Sequence, residues 1–73
     1  MYVVIELQTY LDGNVGNIVS VHPTRNEAEQ KYHLILSAAA VSTVPIHSAV
    51  MLEDTGYLIK NECYDHREQN PEE

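Results

Sequence analysis

Residues 2–9, YVVIELQT, alternate strictly: Val3, Ile5 and Leu7 fall on one side, and Tyr2, Val4, Glu6 and Gln8 on the other. Period two over eight residues predicts a half-buried strand, with Val3, Ile5 and Leu7 assigned to the core. Residues 18–22, IVSVH, predict a second strand, with Val19 and Val21 on one side and Ile18, Ser20 and His22 on the other. Between the two, Asp12-Gly13 and Gly16-Asn17 are turn dipeptides, so the pair reads as a hairpin. The period then changes. Ala28, Tyr32, Ile35, Leu36 and Ala39 recur at helical spacing, behind a Thr24…Glu27 capping box. A helix is expected from about Arg25 to about Val41, with Glu27 able to pair with Lys31 four residues on. IHSAVMLE (46–53) and GYLIKNECY (56–64) predict two more strands, joined through Asp54-Thr55-Gly56, with Gly56 suited to a left-handed position.

These elements admit one economical topology. A strand–helix–strand crossover leaves the second and third strands parallel. Because the first strand is antiparallel to the second, it fits between them, and the order 2-1-3-4 gives a wholly antiparallel sheet. The expected fold is two-layer α+β, β-β-α-β-β, with one helix on one sheet face. Residues 1–64 are expected to form a single domain, with 65–73 a polar, disordered tail.

Apolar residues outnumber what that architecture buries. Leu34 and Ala38 lie off the main helical stripe. Val4 and Ile18 point away from the assigned core face. The third strand is apolar on both registers, with Ile46, Val50 and Leu52 on one and Ala49 and Met51 on the other. A strand with two apolar faces is covered on both. Val4, Ile18, Leu34, Ala38, Ala49 and Met51 are therefore the candidate residues of a self-association interface. A chain of 73 residues buries too little surface to be comfortable alone. Its single cysteine, Cys63, excludes an intrachain disulfide, which leaves association as the compensation.

Charge narrows the partners. Eleven acids against four bases give −7, too few bases to neutralise a nucleic-acid backbone. The start lacks the basic segment of a secretory signal, and Tyr32–Leu52, the longest uncharged stretch, holds too many polar residues and a proline to span a bilayer. A cytoplasmic location with neither membrane nor direct nucleic-acid partner is expected.

Candidate chemistry is sparse. The GNVG spacing at 13–16 matches a nucleotide-gripping Gly-x-x-Gly, but it sits between strands with no base nearby, so it reads as a turn. Cys63 and His66 form one C-x-x-H unit where a zinc site usually shows two, and no metal or cofactor is expected. The carboxylate pairs Glu27/Glu29 and Glu53/Asp54 read as solvated surface. No motif supports acid–base catalysis, and a non-catalytic role is expected.

YVVIELQT, the glycine hairpin, RNEAEQKYH, SAAAVSTVP, His47 and ECYDH together resemble a family of short uncharacterised proteins of gut Clostridia-type bacteria and their phages. The resemblance runs from Tyr2 to His66 and implies a mobile-element origin, with no catalytic residue to carry over. The expected function is a small homo-oligomeric interaction protein, a homodimer or higher. Two alternatives stand beside it. One is an acidic counter-defence protein that blocks a nucleic-acid-binding enzyme of the host. The other is an enzyme or ligand sponge whose pocket forms between subunits, where His47, Tyr57 or Cys63 would converge.

Overall fold

The computed structural model describes residues 1–67. Four strands, β1 (Tyr2–Thr9), β2 (Val15–His22), β3 (Ile46–Glu53) and β4 (Leu58–Asp65), form one antiparallel sheet in the order β2-β1-β3-β4. A single helix, α1 (Arg25–Ala39), joins β2 to β3 and lies on one face. The fold is the expected two-layer α+β architecture.

Both hairpins use the same device. In the first, Tyr10 N–H donates to the Asn14 carbonyl (2.9 Å) and Gly13 N–H to the Tyr10 carbonyl (3.0 Å). In the second, Glu53 N–H donates to Tyr57 (2.9 Å) and Gly56 N–H to Glu53 (2.8 Å). Gly13 and Gly56 have φ of +90° and +94°, the left-handed position that closes a three-residue loop. Gly16 is different. It lies within β2 opposite Gln8, so the Gly-x-x-Gly spacing spans a turn and a strand rather than one loop.

The helix starts as its cap predicts: extended Thr24 accepts the Glu27 N–H at 3.3 Å. It ends at Ala39, two residues before the expected limit, and Ala40 caps it in a right-handed conformation. The predicted Glu27–Lys31 pair does not form. Glu29 instead takes Arg25 at 3.3 Å and Lys60 of β4, and those cations, Lys60 first, hold its carboxyl below the usual range.

The helix covers the register opposite to the one assigned from the sequence. Val4, Ala49 and Met51 are fully buried beneath Ala28, Tyr32, Ile35 and Leu36, with Tyr2 and Ile59 at the margin. Val3, Ile5 and Leu7, assigned to the core, lie on the other face. Alternation in β1 pointed the other way, since its helix-facing register carries Glu6 and Gln8 beside Val4, and β3 is apolar on both registers. The helix between β2 and β3 lies over the register that holds Val4, Ala49 and Met51.

Tyr32 pins helix to sheet. Its ring is wholly buried, its hydroxyl donates to Glu62 Oε1 at 3.1 Å, and Lys60 Nζ lies 4.8 Å from its centroid. Burial, followed by the adjacent Glu62 and then Glu29, pushes its phenol up to about 12. An unfolded tyrosine ionises near pH 10, so this contribution is complete below pH 10. It is lost as pH rises toward 12, because the unfolded chain ionises first. Alkaline titration followed by circular dichroism and tyrosinate absorbance should show unfolding in that window. Tyr32→Phe, which removes the ionisation and keeps the ring, should move the midpoint upward. An unchanged midpoint would mean that other groups govern base denaturation.

The strand boundary at the C-terminus also differs from expectation. Asp65 pairs with Ile46 as the last residue of β4, and His66 N–H donates to the Pro45 carbonyl at 2.6 Å. His66 Nε2 then donates to Ala39 O at 2.8 Å, tying the chain to the end of the helix. Arg67 bonds Asp65 through its side chain and backbone and holds that carboxyl down at about 2. The remainder of the predicted tail, 68–73, lies outside the described residues.

Candidate interaction surface

The sheet face away from the helix is the largest unexplained feature of the molecule. Strand pairing arranges it in rows. Val21, Val3, Leu52 and Leu58 form the first, Val19, Ile5, Val50 and Asn61 the second, and Asn17, Leu7, Ser48 and Cys63 the third. Val15, Thr9, Ile46 and Asp65 form the fourth. None of the described elements covers these residues. Val15, Val19 and Val21 are each 55% exposed and Leu58 49%.

Charge avoids this face. Glu6, Glu53, Lys60 and Glu62 lie on the helix-facing register, Asp12 and Asp54 in the turns, and Arg25, Glu27, Glu29 and Lys31 on the helix. Among the described residues only Asp65 touches the open face, at one corner beside Arg67. A chain of net charge −7 thus keeps one broad apolar surface free of repulsion.

The residues proposed from the sequence divide into two groups. Val4, Ala49 and Met51 belong to the chain's own core, so they cannot form an interface; the helix occupies their face. Ile18 (55% exposed), Leu34 (61%) and Ala38 remain open, on the flank between α1 and the edge strand β2. There an open groove of about 280 Å³ is lined by His22, Glu27, Gln30, Lys31 and Leu34. The open-face residues Val3, Ile5, Val19, Val50 and Leu52 are not among the candidates read from the sequence, which takes the other register of β1 and β3 as the uncovered one.

The structure places the polar residues singled out from the sequence apart from one another. His47 is buried under the helix, its Nε2 bonded at 2.6 Å to Glu6 Oε2, which also accepts from Gln8 Nε2 at 3.2 Å. His47 Nδ1 is buried without a partner. Tyr57 is exposed beside the β3–β4 turn and Cys63 lies on the open face, so neither converges with His47 within the chain. Cys63 and His66 leave β4 toward opposite faces, and His66 is already bonded to Ala39. Among the described residues no three His, Cys, Asp or Glu side chains are grouped to hold a metal.

One pairing was not foreseen: Ser20 Oγ lies 2.9 Å from His22 Nε2, two residues along one face of β2. The hydroxyl also donates to the Val4 carbonyl at 3.5 Å, and among the described residues no carboxylate bonds the other imidazole nitrogen.

Among the described residues no helix is long and apolar enough to cross a membrane. A scan against known protein families and searches of curated proteins and of solved structures found no match.

Proposed function

We propose that this protein is a non-catalytic interaction protein that works as a homodimer, joined through its open sheet face. The observation that carries the reading is the uncharged apolar field of β1, β2 and β3 opposite the helix. Four strands of eight residues present about 500 Å² on one face, from strand spacing and rise alone. Two such faces bury about 1,000 Å² in total, the lower bound for a specific interface. Face-to-face sheets pack with strands about 30° apart and side chains interdigitated. A two-fold axis through the middle row places Ile5 and Val50 of one copy against the same pair of the other.

A second copy is favoured over an unlike partner because the face is self-complementary. Its β1, β2 and β3 residues carry no charge that would need an opposite sign, and Asp65 at the β4 corner is held by Arg67. The mobile-element origin belongs to the same proposal and rests on the resemblance of residues 2–66 alone.

Sedimentation equilibrium at micromolar concentration should report two chains per particle. Melting temperature should rise with protein concentration, since association stabilises only the folded state. A monomer whose melting temperature is independent of concentration would overturn the proposal.

A further inference from the structure

The two edges of the sheet are treated differently. The β4 edge carries Lys60, Asp65 with its Arg67 clamp, and a bulge between Met51 and Leu52 in its pairing with β3. Such devices keep foreign strands from adding to an edge. The β2 edge has none of them: Val15–His22 contains no proline, lysine or arginine, and its register with β1 runs unbroken for eight residues. Among the described residues no strand neighbours its outer backbone groups.

Above this unprotected edge lies the groove between β2 and α1. The helix does not close over it: Ile18 on the helix-facing side of β2 is 55% exposed, and so are Leu34 (61%) and Ala38 across the gap. At the His22 end stands Lys31. Of the Lys and Arg side chains among the described residues, Arg25, Lys60 and Arg67 each hold a carboxylate, whereas Lys31 is in no ion pair. A groove lined by Leu34, His22, Gln30, Glu27 and Lys31, with Ile18 exposed beside it, runs along an open backbone edge and holds a cation that is in no ion pair.

The geometry points to strand addition at β2: an extended segment of a partner protein, with a carboxylate side chain next to β-branched ones, pairs with the β2 edge. Its backbone completes the ladder. Its helix-side residues enter the groove, the apolar one against Ile18 and Leu34 and the carboxylate on Lys31. Backbone pairing supplies affinity and the groove supplies selectivity. This site is separate from the open face and stands or falls without it.

The probe is a fluorescein-labelled eight-residue peptide of alternating Val and Thr with one central Glu, followed by polarisation against the full chain. Two control peptides carry Lys in place of the Glu, or N-methyl groups on alternate amides. The Glu peptide is expected to saturate and to bind at least about tenfold more tightly than either control. Lys31→Glu should reverse the preference toward the Lys peptide, and Lys31→Gln should abolish it; circular dichroism confirms that both variants fold. Absence of saturable binding, or a preference unchanged by Lys31→Glu, would overturn the inference. So would a particle mass that falls on Ile18→Lys without any peptide binding, since a second copy would then occupy the groove.

Discussion

Replacing Ile5 by Lys is expected to split the dimer into single chains, while Leu34→Lys leaves its mass unchanged. Ile5 lies in the middle row of the open face, flanked by Val19 on β2 and Val50 on β3. In the monomer a lysine there reaches water, so the domain tolerates it. In the dimer it is trapped between two apolar sheets, unpaired and facing its own copy across the axis. An uncompensated buried charge costs about 3–5 kcal/mol, which raises Kd by at least about a hundredfold. Melting temperature should drop and lose its dependence on concentration. Leu34, 61% exposed on the helix flank, is the control because it lies on the opposite side of the sheet. If Leu34→Lys dissociates the particle and Ile5→Lys does not, the interface runs through the flank and the open-face assignment is wrong.

The second large effect concerns the core. Tyr32→Ala should leave the chain largely unfolded at room temperature, as circular dichroism and urea titration would show. The ring is fully buried, contacts the Lys60 ammonium and bonds Glu62, so truncation removes the helix's main anchor to β4 as well as opening a cavity. Aromatic-to-alanine changes in cores cost about 3–5 kcal/mol. A small domain's whole stability is of the same size. Tyr32→Phe keeps the packing and loses only the hydroxyl bond, so it should fold with a modest loss of about 1 kcal/mol. A Tyr32→Ala protein as stable as Tyr32→Phe would show that the helix is held mainly by Met51, Val4 and the aliphatic face of α1.

Local chemistry made much of this fold legible in advance. The bounds of β1 and β3 agree with the sequence reading: β1 alternates up to the Asp12-Gly13 hairpin, and β3 lies between Pro45 and the Asp54-Thr55-Gly56 turn. The helix start was readable from Thr24 and Glu27, and the topology from the crossover rule. β2 was read as shorter than it is. Val15-Gly16-Asn17 has turn composition, yet it is extended because Thr9, Gln8 and Leu7 pair with it across the hairpin. Propensity gave way there to cross-strand hydrogen bonding.

The surface was legible only in kind. That this chain has more apolar side chains than one helix can bury follows from its composition and spacing, and no tertiary information was needed to see it. Which of those side chains stay exposed was settled by the fold alone. A strand apolar on both registers carries no mark of which face will meet a helix, because the hydrophobic driving force is nearly equal for either. The packed fold placed Val4 and Met51 inside and Ile5 and Val50 on the other face. The Glu6–His47 bond, the Tyr32–Glu62 bond and the unpaired Lys31 in its groove belong to the same class. Each depends on residues brought together, or kept apart, across long separations, and only the packed chain decides such distances.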